Sequence, residues 1–504
     1  MFWADRIAEE IRQTRGGKGS LLIRDEKTIS GRIHVGAMRG VLIHGTISAI
    51  LTERGISNNF VYELNDFDAF DTVPVYLDAE KFTPHLGKPL FVVPSPDSSA
   101  KSYSDYFGRE FSDVITKMGY TPEFRSSVDA YRSGKYNDVI RIALENAGSI
   151  RAIYKKVSGG KRSEEWLPIM MICEQCGKIA TTRAVSFDGK IIQYVCDQEA
   201  SGAKGCGFEG TGSPYDGNAK LPWKVEWAAK FTVFDVAVEG EGKDLSTKGG
   251  ARDVANHISQ EVFKREPPFD IRYEHFLIGG RKMSTSKGRG SSAKEIADLM
   301  PPKIFRLALL GRDINQAFNF DPEGDTIPVL YDQYDKLALG YATTKDDDYA
   351  RLFELIHPLK EVGLPSQKPL PRFSQVAFAV QMPHLDLEKE FPEADKAELH
   401  ERALYAKRWL DAYAPEKFVF KLQESLPAVE ITKEQKTNLK QVREFLEQHP
   451  SAAAEDIHSK LHELKEFKGI YLAFLGKDHG PKAGWFIASL PRDFVLARLK
   501  EAAA

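Results

Sequence analysis

The chain has 504 residues, with 69 Lys plus Arg against 72 Asp plus Glu and a formal net charge of -3. Its composition, 42% apolar, 28% charged and 11% aromatic, excludes a wholly disordered, collagen-like or coiled-coil chain, and the length predicts about three or four folding units. Near-neutral charge excludes nucleic-acid binding by bulk electrostatics, so any such function needs local basic patches.

The opening stretch MFWADRIAEEIRQ lacks the basic-then-apolar order of a signal peptide. No run reaches the roughly 18 consecutive apolar residues of a membrane helix, so a cytoplasmic protein without a membrane partner is expected. Gly19 to Ile23 then reads as a strand, Val35 to Leu51 as a helix, Asn59 to Leu64 as a second strand and Pro89 to Val93 as a third. Strands alternating with helices point to a parallel sheet. Residues 166–215 change texture, with glycines, all the cysteines and short β-like pieces such as Lys190 to Val195. The α/β pattern returns at Trp223, with Lys230 to Val238 and Arg272 to Ile278 as candidate strands, and ends near Pro301-Pro302. Beyond it, Pro302 to Leu310, Asp346 to Ile356, Lys396 to Tyr413, Lys433 to Gln448 and Ala454 to Phe474 carry apolar positions at helical spacing, and Gly363 to Pro371 reads as a loop. The predicted divisions are therefore 1–165, 166–215, 216–300 and an all-α 301–504.

Cys173, Cys176, Cys196 and Cys206 are the only cysteines. A CxxC turn followed by two more thiols suits tetrahedral Zn²⁺, and four protein ligands leave no open position, so the expected role is structural.

After the first strand, Ser30-Gly31-Arg32-Ile33-His34-Val35-Gly36-Ala37 opens the apolar helix. Such a turn lets a nucleotide approach backbone and helix N-terminus, although a lone histidine is as often merely packed or solvated. Far downstream, Gly279-Gly280-Arg281-Lys282-Met283-Ser284-Thr285-Ser286-Lys287-Gly288 forms a basic, Ser-rich loop after an apolar strand. Together the two segments resemble the HIGH and KMSKS signatures of class I aminoacyl-tRNA synthetases. Ala37 stands at the second histidine of HIGH and Thr285 at the second lysine of KMSKS, with Lys287 two residues on.

Five further stretches are similar to the archaeal-type, class I lysyl-tRNA synthetases. They are Tyr62 to Asp68 with Val73-Pro74, Leu86 to Leu90 with Val93 to Pro96 and Ser102-Tyr103, Tyr131 to Tyr136, Leu221 to Trp227, and Gly242 to Leu245 with Gly249-Gly250. The resemblance implies a Rossmann-like α/β catalytic domain with a zinc-binding insertion and an all-α anticodon-binding region. It implies ATP, with Mg²⁺, L-lysine and tRNA(Lys) as partners, and lysyl-adenylate as intermediate. His34 and Lys282 would be catalytic through phosphate charge. Ser30, Gly31, Gly36, Asp244, Met283, Ser284, Ser286 and Lys287 would join them around ATP, Asp244 at the ribose. The family has histidine after that aspartate, where this chain has Leu245.

A lysine site needs a carboxylate for the ammonium and an apolar slot for the stem. Asp25, Glu26, Asp66 and Asp68 lie near strand ends, each as readily a solvated charge or helix cap. Asp66 and Asp68 are favoured because they belong to a matching motif, with Tyr62 and Trp227 along the stem. For tRNA, Arg141, Arg151, Lys155, Lys156, Lys161 and Arg162 form one basic run and Lys433, Lys436, Lys440 and Arg443 another, though such runs are usually solvated helix faces. Phe418, Phe420, Tyr471, Phe474 and Trp485 are aromatic candidates for stacking on bases, or core. Two alternatives stand beside the lysyl reading: a glutamyl-type class I synthetase, and a non-catalytic zinc-containing tRNA-binding paralogue. The sequence leaves the oligomeric state open, with a monomer expected.

Overall fold

The structure, a computed structural model, describes residues 1–17, 19–279, 291–343, 347–357, 368–382 and 385–504. It divides into two units, Met1–Ala297 with Pro302–Phe320 and Lys345–Val362, and Asp298–Pro301 with Asp321–Thr344 and Gly363–Ala504.

The first unit is built on five parallel strands: β1 (Leu21–Thr28), β2 (Asn58–Asn65), β3 (Glu123–Ser126), β4 (Val236–Gly242) and β5 (Phe269–Tyr273). Their spatial order is β5-β4-β1-β2-β3. The chain builds outward from β1 to β3, then crosses back to lay β4 on the other side of β1. That reversal between β1 and β4 is a topological switch point, where doubly wound sheets bind ligands beyond the carboxyl ends of their strands.

Helix α1 (Ala37–Glu53) follows β1 and is buried along most of its length, with Val41, Leu42, Ile43, Ile47, Ile50 and Leu51 at most 1% exposed. Each such side chain contributes roughly 1.5–3 kcal/mol by leaving water. Val35–Glu53 is long and apolar enough to cross a membrane by length and composition, but 72% of its apolar window is packed inside the fold. Its Arg39, 1% exposed, donates to the carbonyls of Leu309, Ile314 and Gln316.

Several sequence expectations need correction. Pro89 to Val93 is no strand; Leu90–Val92 is a single 3₁₀ turn, and the true third strand is the short, polar Glu123–Ser126. Lys230 to Val238 divides between helix α2 (Trp223–Val233) and β4. Arg272 to Ile278 divides between β5 and Phe276–Ile278, which pairs instead with Phe318–Phe320. Ala454 to Phe474 is two helices, Ala454–Leu464 and Lys468–Leu475, separated where Lys465 takes φ 52°. Part of the Gly363 to Pro371 loop lies outside the described residues.

The cysteine-bearing segment forms a small antiparallel sheet of Arg183–Phe187, Ile192–Val195 and Glu209–Gly212. Its Ile179, Ala184, Ile192 and Tyr194 share one apolar cluster with Tyr131, Val225 and Phe231. The second unit is helical and has its own core around Leu439, Val442, Ile457, Ile470 and Phe474.

Candidate active site

The turn that follows β1 is held by two tyrosines. Tyr103 Oη donates to the Ser30 carbonyl at 3.0 Å, and the Arg32 N–H donates to Tyr76 Oη at 2.7 Å. Gly31 has φ +144°, and a Cβ there would fall 2.5 Å from Tyr76 Oη, so glycine is required on both counts. The next residues pair with the chain emerging from residues 280–290: Val35 N–H donates to the Ser291 carbonyl at 3.2 Å, and Ala293 N–H donates to the Ile33 carbonyl at 2.8 Å. His34 stands opposite Ser292 between these bonds. Lys282, Met283, Ser284, Thr285, Ser286 and Lys287 lie outside the described residues.

His34, Gly36 and Ala37 form one wall of a cavity of about 400 Å³ at the carboxyl ends of β1 and β4. Ser30 and Gly31 do not line it. The remaining walls include Asp25, Glu26, Lys27 and Thr28 of β1, Tyr62 of β2, Trp223 and Trp227 of α2, Glu239 to Gly242 of β4, and then Asp244, Leu245, Tyr273 and His275. Tyr62 and Trp227 are therefore brought to the cavity. Trp227 stacks on Trp223 at 6.1 Å between ring centres and donates its Nε1–H to Glu239 at 3.1 Å. Asp244 Oδ1 meets His275 Nε2 at 2.7 Å.

Asp66 and Asp68, expected at the substrate, are engaged within the fold. Asp66 accepts from the Ser126 hydroxyl at 2.7 Å and the Val128 N–H at 2.9 Å, joining β2 to the helix after β3. Asp68 accepts from the Thr28 hydroxyl at 2.6 Å and pairs with Lys220 at 3.0 Å. Neither lines the cavity.

Behind the cavity four buried cations meet six carboxylates. Arg24 pairs with Glu26, Glu63 and Glu239, Lys230 with Glu26, Glu63 and Glu226, Lys220 with Asp68 and Glu226, and Arg252 with Glu239 and Glu241. Burial opposes the charge on Arg24 and Lys230, yet the surrounding carboxylates hold both well above their ordinary pKa. Glu241 goes the other way: burial, with the Asp270 carboxyl beside it, outweighs Arg252 and pushes it up to about 8. Lys27 is the one cation on the described lining, and burial lowers its pKa.

A parallel α/β sheet with a cavity at its switch point and a histidine at the helix mouth, in a chain whose sequence carries a basic Ser-rich segment just before Ser291, narrow the family. The family model described as tRNA synthetases class I (K) matches residues 1–359. The chain belongs to this family.

Relatives of this synthetase include a protein named Lysine--tRNA ligase from Methanosarcina barkeri (strain Fusaro / DSM 804), 29% identical over 540 residues that cover 100% of this chain and 98% of that one. Lysine--tRNA ligase 1 of Methanosarcina acetivorans is 30% identical over 544 residues, covering 100% and 98%. Lysine--tRNA ligase of Archaeoglobus fulgidus is 30% identical over 522 residues, covering 100% of both chains.

The synthetase also carries a candidate metal centre. Sγ atoms of Cys173, Cys176, Cys196 and Cys206 all lie within 4.8 Å of one another, with Cys173 to Cys206 and Cys176 to Cys196 each at 3.7 Å. Four sulfurs about 2.3 Å from a central ion stand roughly 3.8 Å apart at tetrahedral angles, so the four thiols could hold a metal ion. Gly177 (φ 71°) turns the first pair back on itself, its N–H donating to the Cys173 carbonyl at 2.8 Å.

The synthetase's basic runs are largely engaged with its own surface. Arg141 pairs with Glu145 at 2.8 Å, Arg151 donates to the Trp166 carbonyl, Arg162 lies over the rings of Tyr154 and Trp166, and Lys440 and Arg443 pair with Glu444 and Glu447. Lys433 and Lys436 lie on the helix Lys433–Gln448. Of the aromatic candidates, Phe474 is fully buried and Tyr471 is 9% exposed. Phe418, Phe420 and Trp485 instead line a second cavity of about 370 Å³ in the helical unit, with Phe378, Lys417 and Lys482.

Proposed function

We propose that the chain is a lysine--tRNA ligase that activates L-lysine with ATP and transfers the lysyl group to tRNA(Lys). The observation that carries this reading is the acidic cavity at the switch point, set in a chain whose whole length aligns with ligases for that amino acid. A lysine carboxylate oxygen attacks the α-phosphorus, the bond to the β-phosphate bridging oxygen breaks, and pyrophosphate leaves. A terminal ribose hydroxyl of the tRNA then attacks the lysyl carbonyl, and AMP leaves.

In this reading His34 and the first turn of α1 face the phosphates, and Lys282 and Lys287 supply positive charge from the basic loop, joined by Ser284, Ser286 and the Met283 backbone. Charge so placed stabilises the transition state without a covalent enzyme intermediate. Mg²⁺ accompanies ATP as charge neutraliser. Asp244, oriented by His275, accepts from ribose hydroxyls. Lys27 faces the negative end of a substrate, and Trp227 and Tyr62 flank the lysine stem. Cys173, Cys176, Cys196 and Cys206 hold structural Zn²⁺. Residues 301–504 take the anticodon, with Phe418, Phe420 and Trp485 offering faces for unpaired bases. A cytoplasmic monomer completes the reading.

A glutamyl-type activity fits poorly, because an acidic side chain brought beside the Asp25 carboxylate, whose Oδ2 has no hydrogen-bond donor, meets like charge. Lysine-dependent exchange of pyrophosphate into ATP, run with tRNA present and with all twenty amino acids, tests the proposal. Exchange with glutamate, or with none, overturns it.

A further inference from the structure

The carboxylates lining the active-site cavity are not equally provided for. Glu26 is paired with Arg24 and Lys230, Glu239 with Arg24 and the Trp227 indole, Glu241 with Arg252, and Asp244 with His275. Asp25 differs. Its Oδ1 accepts the Glu26 N–H at 2.8 Å, while Oδ2 is buried with no hydrogen-bond donor, on a residue only 7% exposed. A buried carboxylate oxygen lacking a donor is strongly unfavourable, so a cation is expected to reach it in the working state.

The nearest ring does not serve. His44 Nδ1 is 3.6 Å from Asp25 Oδ2, but it is closer, at 2.7 Å, to the Gly40 carbonyl. The Gly240 N–H donates into His44 Nε2 at 2.8 Å, which needs that nitrogen unprotonated and fixes the neutral Nδ1–H tautomer. Asp25 draws the His44 pKa upward against the opposing effect of burial, yet the imidazolium forms only by breaking the Gly240 bond. Asp25 also lies beside the first turn of α1, where a negative charge is supported by the helix dipole. A Cβ on Gly40 would fall 2.6 Å from Asp25 Oδ2 and 2.8 Å from Tyr273 Oη, so the absence of a side chain keeps that corner open.

We propose that Asp25 Oδ2 accepts the ε-ammonium of lysine and sets specificity, in a subsite completed by Tyr273 Oη and kept open by Gly40. This rests on the lysine-ligase reading. The ammonium supplies the donors that Oδ2 lacks, and an uncharged or acidic side chain leaves the carboxylate buried and unpaired.

The test is lysine-dependent ATP–pyrophosphate exchange, with tRNA present, for the full-length wild type, Asp25→Asn and Gly40→Ala, with melting temperatures. Asp25→Asn is expected to raise KM for lysine by roughly 30-fold or more, to leave KM for ATP within about twofold, and not to lower the melting temperature, since Oδ2 has no protein donor to lose and Oδ1 can still accept the Glu26 N–H. Gly40→Ala is expected to raise KM for lysine selectively by crowding the same corner. If the wild type exchanges with lysine while both variants keep its lysine KM, the subsite is overturned and the ligase reading stands. Equal losses for lysine and ATP with a lowered melting temperature mark Asp25 as structural and also overturn it. A wild type that exchanges with no amino acid overturns the ligase reading, and the subsite with it.

Discussion

The backbone N–H of Val35 donates to the Ser291 carbonyl at 3.2 Å, so the segment that opens α1 and the segment that leaves the basic loop form one ladder. His34 sits inside that ladder and on the cavity wall. His34→Ala should lower the rate of adenylate formation by about 10²–10³-fold, the order found on removing one preorganised transition-state donor. The melting temperature should hold, because the ladder uses backbone groups. Single-turnover kinetics read this directly, and an unchanged rate removes His34 from the chemistry.

Lys230 is the cation on which Glu26, Glu63 and Glu226 converge. Lys230→Met should destabilise the protein by about 3–5 kcal/mol, the cost of stranding buried charge, and denaturant unfolding should show it. A change below about 1 kcal/mol, the size of an exposed pair, would mean that the network is not held together by its charges.

Glu241 gives the protein a pH dependence whose sign is set by burial. Its carboxyl is raised from 4.5 to about 8, so between those values the folded chain holds a proton that the unfolded chain releases. Stability is then greatest below about 4.5 on this account and falls as pH rises through about 8, by on the order of a few kcal/mol. Glu241→Gln should flatten the slope of unfolding free energy between pH 5 and 8. A slope equal to that of the wild type assigns the titration elsewhere.

For the cysteine cluster, metal analysis of purified protein should find about one zinc per chain, the number a single Cys₄ site holds. Cys196→Ser should lose it and melt at lower temperature, because Cys196 is fully buried within the cluster that also contains Tyr131 and Val225. Metal-free protein with an unchanged melting curve contradicts a structural role.

The two motif segments and the four-cysteine element were legible in the sequence because each is local and carries its chemistry in residue types that have few other uses. What was not legible depended on distant partners. Phe231, Thr232 and Val233 read as the start of a strand, but they close helix α2, whose Trp227 and Lys230 are fixed by contacts to β4 and to β1 and β2. The third strand, Glu123–Ser126, is too short and too polar to stand out, and it forms because Val61 to Leu64 offer it an edge. Asp66 and Asp68 had the right chemistry and neighbourhood, but serine, threonine and lysine side chains already occupy their oxygens. Asp25 was one charge among four in Arg24 to Lys27; only the fold shows that Arg24 and Glu26 are ion-paired while Asp25 Oδ2 has no hydrogen-bond donor. His275 carried no signal in sequence, since its partner Asp244 lies on the loop after the adjacent strand.

The most direct measurement of the central claim is lysine-dependent pyrophosphate exchange by the purified full-length protein with tRNA present. Exchange with lysine is expected well above that with glutamate or any other amino acid, and it is expected to be abolished by Lys282→Ala. Absence of exchange with lysine, or exchange driven equally well by glutamate, would contradict it.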